Sequence, residues 1–114
     1  MKGLGNFGDI MKQAQKMHKK MEEMQNELKE RVVEASSGGG MVTAKMNGSQ
    51  ELLAVKIDPE VVDPEDVDML EDLVVAAVNQ AAKKSRELCE QEMAKLTGGL
   101  NLPGLPGGMP FGAP

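Results

Sequence analysis

The stretch RVVEASSGGGMVTAKMNGSQELLAVKID, residues 31–58, decides the fold of this 114-residue chain, because its hydrophobic pattern alternates and turn residues interrupt it twice. The pattern predicts three strands, at about residues 30–36, 41–46 and 51–57. The Asn47-Gly48 pair predicts a two-residue type I′ turn between the last two strands, since both central positions of that turn need positive φ. The middle of the chain is therefore expected to be a small sheet.

One face of this sheet is apolar, because alternate residues of a strand point to the same side. The apolar set comprises Val42, Ala44 and Met46 on the second strand and Leu53, Val55 and Ile57 on the third. We expect both sets to pack against the helices that precede and follow the strands along the chain.

A first helix is predicted before the sheet, from about Asp9 to Glu30. Its apolar residues recur at alternating spacings of four and three, which places them on one stripe of a helix. This stripe, called the methionine seam below, comprises Ile10, Ala14, Met17, Met21, Met24 and Leu28. The glycine-rich residues 1–8 before it are predicted to form a flexible arm.

A second, longer helix is predicted after the sheet. The segment begins DPEVVDPEDVDMLEDL at residue 58, with Asp63 as the expected N-cap and Pro64 at the first helical position. The helix is expected to end at Thr97-Gly98. Residues 9–97 then form one α/β (α+β) domain of order α-β-β-β-α, and the Gly/Pro-rich residues 98–114 are predicted to be a disordered tail.

Composition excludes several classes of protein. The net charge of −5 argues against a uniformly basic coat, and the absence of Trp and Tyr argues against base stacking on aromatic side chains. The single Cys89 fits a reducing compartment. We find neither a signal peptide nor an apolar run near the ~20 residues that a membrane span needs. The sequence thus predicts a cytoplasmic protein with no membrane partner.

No catalytic or metal site is predicted. The acidic residues between Asp58 and Asp72 suit the start of a helix and lack the pattern of a calcium loop. His18 and Cys89 each stand without a second ligand, and the loop from Ser36 to Gly40 lacks the lysine of a phosphate-binding P-loop. We therefore expect no enzyme, no cofactor and no small-molecule substrate.

Charge is unevenly distributed along the first helix. Its lysines come first, and the acids Glu22, Glu23, Glu27 and Glu30 follow, which is opposite to the order that the helix macrodipole favours. The lysines are Lys12, Lys16, Lys19 and Lys20, on the side away from the methionine seam. A solvated helix face and a local site for a polyanion are both open interpretations. The second helix adds Lys83, Lys84, Arg86 and Lys95 in its later half, which would lie near the lysines of the first if both helices project from a common sheet.

The methionine seam is also open to two interpretations, an internal core or a contact between subunits. Three short strands cannot cover two long helices within one subunit. Self-association as a two-fold homodimer is therefore expected.

Three stretches resemble the YbaB/EbfC family of bacterial nucleoid-associated proteins. They are MKQAQKM from Met11, the glycine loop before MVTAKMNG, and IDPEVVDPEDVDMLEDLVVAAVNQAAKKSRE from Ile57. The resemblance covers nearly the whole chain. It implies a three-stranded antiparallel sheet and a homodimer whose paired helices protrude like tweezers. It also implies that the protein binds double-stranded DNA with low sequence specificity. This binding would contribute to nucleoid organisation and gene regulation.

The resemblance places candidate DNA contacts in the MKQAQ segment, at Lys12, Gln13 and Gln15, with Lys16 beside them. The remaining candidates follow from the charge pattern and are Lys19, Lys20, Lys83, Lys84 and Arg86. Because the later part of the first helix is acidic, contact is expected only near its tip. The alternative function is a protein-interaction adaptor that uses the methionine-rich helix and the tail.

Overall fold

The structure, a computed structural model, describes the backbone of residues 2–98 and the side chains of residues 7–98. The elements follow the predicted order, and neighbouring strands are antiparallel in the sheet order β1-β2-β3. They are helix α1 (Lys2–Glu30), strands β1 (Val32–Ser37), β2 (Val42–Asn47) and β3 (Leu52–Ile57), and helix α2 (Val67–Gly98). The predicted α+β fold is thus confirmed, with one-turn helices at Gly38–Gly40 and Pro59–Val61.

Helix α1 begins earlier than the pattern indicated. Its backbone is helical from Lys2, so residues 2–8, predicted to be a flexible arm, continue the helix. Glycine costs only about 1 kcal/mol relative to alanine inside a helix and keeps its N–H group, so it weakens a helix without ending it. Of the predicted tail at 98–114, Gly98 is the last residue of α2 and the rest lies outside the described residues.

The main core lies between the sheet and α2. Val42, Ala44 and Met46 of β2 are buried, as expected, and they meet Ala77 and Ala81 of α2. Alanine carries only a methyl group, so α2 packs close against β1 and β2. On β3 the expectation holds for Val55, which packs against this core, and fails for Leu53 and Ile57, because α2 crosses β1 and β2 and leaves much of β3 uncovered. Leu53 is 53% exposed and Ile57 39%.

A second, smaller core joins α1 to the later half of α2. Met24 and Leu28 of the methionine seam are buried against Leu88, with Met21 and Met93 partly buried around them. The helices run antiparallel, since Leu28 lies beside Cys89 whereas Lys20 shares a groove with Lys95 and Leu96.

The turn between β2 and β3 differs from the predicted two-residue turn. Asn47 N–H donates to the carbonyl of Glu51 and Gln50 N–H to that of Asn47, which closes a three-residue loop. The residue with positive φ is Gln50, at 62°. Gly48 is required for another reason, because a Cβ there would lie 2.8 Å from the carbonyl oxygen of Leu28.

The N-cap of α2 also differs from the prediction. Asp63 accepts a hydrogen bond from Glu65 N–H in a turn that precedes the helix. The cap is Asp66, whose carboxylate accepts from Met69 N–H, the third helical residue, at 3.3 Å. Both aspartates carry the side chain that a cap needs, and the local pattern does not tell them apart.

Asn47 connects three parts of the fold. Its side-chain oxygen accepts from the N–H groups of Ser49 and Glu51, and its amide donates to the carbonyl of Lys29 at 3.2 Å. Its own carbonyl accepts from the buried hydroxyl of Ser85 at 2.7 Å. The side chain thus fixes the end of α1 against the β2–β3 turn, and its backbone fixes that turn against α2. We call this set the Asn47 network.

We predict that Asn47→Ala lowers the free energy of unfolding by about 2–3 kcal/mol, because it leaves a carbonyl and two N–H groups without partners. Urea denaturation measures the change. The control Asn26→Ala removes an exposed asparagine from α1 and is expected to change stability by less than about 0.5 kcal/mol. Equal effects of the two substitutions would contradict the role of the Asn47 network.

Candidate nucleic-acid interface

The first half of α1 extends beyond the body of the fold. Among residues 7–20, every side chain is exposed except that of Met17, which is half-buried. Lys20 faces the last turns of α2, so the preceding part of α1 has no described element beside it. At ~1.5 Å per residue, this overhang extends for roughly 25 Å.

The predicted site residues of α1 lie on this overhang. At 100° per residue, Lys12, Lys16, Lys19 and Lys20 fall within an arc of about 100° on the side away from the methionine seam, with Lys20 at the edge nearest α2. We call these four residues the lysine stripe. Gln13 and Gln15 are exposed and flank the stripe on either side. Among the described side chains, no carboxylate lies within 4.0 Å of the stripe's ammonium groups.

The basic residues of α2 lie elsewhere. Lys84 donates to the backbone carbonyl of Glu34 on β1 at 2.7 Å, and Arg86 borders the β2–β3 turn. Lys83 is exposed on the same part of α2. Because α2 runs away from the sheet toward the overhang, roughly 30 Å of helix separates these residues from Lys12. Lys83, Lys84 and Arg86 therefore lie apart from the lysine stripe, whereas Lys95, near the end of α2, shares a groove with Lys20.

An ion-pair cluster fixes the base of the helical pair. Glu92 accepts from Lys95 Nζ at 3.1 Å and from Arg31 Nη1 at 3.4 Å, so it joins α2 to the residue that follows α1. The hydrogen bond from Lys95 is the first cause that holds the pKa of Glu92 below its usual value, and the charges of Lys95 and Arg31 add to it. Lys95 is thus paired within the fold.

Acidic residues are concentrated outside the overhang. Exposed acids lie on α1 behind the lysine stripe and on the neighbouring part of α2, namely Glu22, Glu23, Glu27, Glu30, Glu87 and Glu90. The stretch from Asp58 to Asp72 lies at the start of α2, the end remote from the overhang. Its carboxylates accept from backbone N–H groups at Glu60, Glu65 and Met69, which supports the structural interpretation. A polyanion therefore meets favourable charge at the overhang.

The remaining candidate groups have structural partners. His18 lies 2.9 Å from Glu22 on the exposed surface of α1, and Cys89 is half-buried beside Met21 and Met93. Within residues 7–98, no three metal-binding side chains come together. No helix in the described part of the chain combines the length and apolar character needed to cross a bilayer.

The sequence pattern did not identify an apolar surface on β3. Because α2 does not cover the edge strand β3, most apolar side chains of β3 remain exposed, as do Val62 and Val67 after it. We call these exposed apolar residues the β3 patch, namely Leu52, Leu53, Ile57, Val62 and Val67. Exposed apolar patches of this kind are typical of protein contacts.

Comparison with known proteins gives one consistent family. The family model described as "YbaB/EbfC DNA-binding family" matches residues 2–100, which confirms the resemblance. A nucleoid-associated protein of Alkaliphilus metalliredigens is 53% identical over 105 residues, covering 92% of each chain. One of Syntrophobacter fumaroxidans is 57% identical over 95 residues, covering 83% of this chain and 86% of the other.

The fold also matches a solved structure. A crystal structure of an uncharacterized protein from Helicobacter pylori superimposes with a TM-score of 0.73 and 24% sequence identity. The match covers 80% of this chain and 96% of the other. It supports the α-β-β-β-α arrangement alone.

We predict that the carboxyl group of Glu92 titrates below the usual range for glutamate, with Lys95→Gln raising its pKa more than Arg31→Gln does. Carbon-detected NMR titration measures the midpoints. Because the folded pKa is lowered, the stabilisation is present above the usual pKa and is lost as pH falls through the lowered value. If the carboxyl group of Glu92 titrated in the usual range for glutamate in the wild-type protein, the ion-pair cluster would be contradicted.

Proposed function

The chain belongs to the YbaB/EbfC DNA-binding family, and we propose that it binds double-stranded DNA as a homodimer with low sequence specificity. The observation that carries this proposal is the lysine stripe, an exposed row of cations on a projecting helix with no carboxylate partner among the described residues. The family is described by DNA binding and not by a reaction, in agreement with the prediction that the chain is no enzyme.

The lysine stripe favours a polyanionic partner for a reason other than the helix macrodipole. Because α1 begins at Lys2, Lys12 lies about three turns from the helix end, beyond the reach of the dipole. Lys12, Lys16 and Lys20 instead repel one another at i,i+4 spacing, at about 0.2–0.5 kcal/mol per pair. DNA phosphates relieve this repulsion and release counterions on binding.

The lysine stripe supports phosphate contacts more than base recognition. Lysine is a flexible point charge, and phosphate contacts position a protein on DNA without carrying sequence information. Gln13 and Gln15 at the sides of the stripe are able to hydrogen-bond to phosphate or sugar oxygens. The acids behind the stripe repel DNA, so the duplex contacts only the overhang.

The β3 patch supports the homodimer. An edge strand with exposed leucines is unfavourable in a lone subunit, and a second copy related by a two-fold axis would cover the same patch on both subunits. Each dimer then carries two overhangs and two lysine stripes. Two stripes held by one rigid body would hold the duplex from two sides.

We further propose that the protein resides in the cytoplasm at the nucleoid and contributes to nucleoid organisation and gene regulation. The names of the relatives from Alkaliphilus and Syntrophobacter support this assignment. The adaptor function predicts partner capture that survives nuclease and high salt. The lysine stripe favours DNA binding, because an adaptor built on apolar contacts has no use for unpaired lysines opposite its apolar seam.

We predict that Lys12→Glu/Lys16→Glu weakens binding to a DNA duplex about tenfold or more at 0.1 M salt. The slope of log affinity against log salt should become shallower by roughly 2–4, for two or four lost phosphate contacts per dimer. Fluorescence anisotropy at several salt concentrations measures both quantities.

Two further variants complete this experiment. Lys29→Glu/Lys45→Glu changes the net charge equally on the body of the fold and should retain most of the affinity. Lys83→Glu/Arg86→Glu tests the basic residues of α2, for which we expect a smaller loss than for the stripe. If Lys12→Glu/Lys16→Glu bound the duplex with the affinity of the wild-type protein, the proposed interface would be refuted.

We also predict that Leu53→Asp converts the dimer into a monomer, because it places a charge in the β3 patch. Sedimentation equilibrium measures the mass. Ala54→Asp is the matched control: Ala54 is the next residue on β3, pairs with Lys45 and is exposed, so this variant should stay dimeric. A dimeric Leu53→Asp protein would place the interface elsewhere.

A further inference from the structure

The contact between α1 and α2 is rich in sulfur. Met24 and Leu28 are buried there against Leu88. Met21 and Met93 are half-buried beside them. Among the described side chains, this is the one core cluster to which α1 contributes, since the main core contains no residue of that helix. Methionine side chains therefore form much of the packing that holds α1 beside α2.

An open groove runs beside Met21 and Met93. Its volume is about 410 Å³, and Met24 and Cys89 also line it. Hydrogen peroxide is little larger than water, which occupies ~30 Å³ in the liquid, so the groove admits it to both half-buried thioethers. Met46, in the main core, is only 4% exposed. An oxidant therefore reaches the sulfur atoms between the helices before that of Met46.

We propose that Met21 and Met93 are a site of reversible oxidation by hydrogen peroxide, and that their sulfoxides open the contact between α1 and α2. In each reaction the thioether sulfur attacks one peroxide oxygen with a lone pair, and the O–O bond breaks. The second oxygen takes up the proton of the first and leaves as water. The sulfur is thereby oxidised by two electrons and the peroxide is reduced. Methionine sulfoxide reductases reverse the change.

Oxidation gives an apolar side chain a strong hydrogen-bond acceptor. A sulfoxide oxygen left between the helices would be buried without a partner, which is unfavourable. Gln25 and Lys29 line the same groove, and their amide and ammonium groups donate hydrogen bonds. Oxidised Met21 and Met93 are therefore more stable with their oxygens at this polar rim than between the helices. This movement takes both side chains out of the contact.

The body of the fold is expected to withstand this oxidation. The Asn47 network contains no sulfur, and Met46 stays buried in the main core. The lysine stripe ends at Lys20, next to Met21, so an open contact loosens the overhang that carries the stripe. Oxidation should then lower the affinity for DNA, and this consequence alone rests on the proposed function.

Hydrogen exchange of the full-length protein before and after peroxide treatment tests this proposal. Mass spectrometry of peptides locates the added oxygens. Once Met21 and Met93 are oxidised, amides of residues 19–28 in α1 should exchange about tenfold faster, because the contact that covers them is lost. Amides of residues 42–47 in β2 should be unchanged. Treatment with methionine sulfoxide reductases should restore the slow exchange.

Matched variants assign the effect to these two methionines. Met21→Leu/Met93→Leu conserves side-chain volume, so it should exchange like the wild type before treatment and keep that exchange afterwards. Met11→Leu/Met69→Leu removes two methionines that are 47% and 40% exposed, and it should respond to peroxide like the wild type. Cys89→Ala removes the thiol in the groove and should also respond like the wild type.

The proposal would be overturned if Met21 and Met93 took up no oxygen, or if exchange at residues 19–28 stayed slow once they had. Equal acceleration in Met21→Leu/Met93→Leu would also overturn it, as would loss of the response in Cys89→Ala. Fluorescence anisotropy of the same samples measures DNA affinity. Faster exchange with unchanged affinity would support the opening of the contact and would count against the lysine stripe as the DNA-binding surface.

Discussion

The short contact between α1 and α2 determines the shape of this molecule. Met24 and Leu28 on one helix and Leu88 on the other are its buried side chains, and all lie near the sheet. The Asn47 network fixes the end of α1 beside this contact, through the carbonyl of Lys29 and the hydroxyl of Ser85. Within the part of the chain that the structure describes, α1 is held at this end alone, and its first half therefore extends beyond the body of the fold.

The overhang makes an acidic protein compatible with binding a polyanion. Charges separated by more than the Debye length, about 8 Å at physiological salt, are largely screened from one another. The lysine stripe lies farther than this from the acids at the start of α2, so those acids weaken its local potential little. The glutamates behind the stripe on α1 are closer, and they confine the favourable potential to the tip. Position along one helix thus matters more than net charge.

Much of the fold was predictable, because period and turn residues are local signals. The three strands begin and end within about two residues of their expected positions, and the seam identified the packed face of α1. The errors arise where tertiary contacts decide. Asn47 forms hydrogen bonds at the junction with α1 as well as in the turn, and α2 crosses two strands and leaves much of β3 uncovered. The glycines before Asp9 indicated an arm, although a helix once formed continues through them.

Part of the candidate site was predictable, because the period of a helix is a local signal of the sequence. The position of the lysines opposite the seam follows from helix geometry alone, and Lys12 and Lys16 do lie on one exposed stripe. Their distance from Lys83 and Arg86 depends on the direction in which α2 runs past α1, which no local pattern contains. The β3 patch likewise depends on which strands α2 covers.

The central claim is that DNA phosphates contact the lysine stripe on the overhang. The most direct measurement follows the lysine ammonium resonances by NMR while a short DNA duplex is added. We predict that the signals of Lys12, Lys16 and Lys19 shift on binding, whereas that of Lys45 on the sheet stays in place. Shifts at Lys83 and Lys84 with an unchanged stripe would contradict the claim.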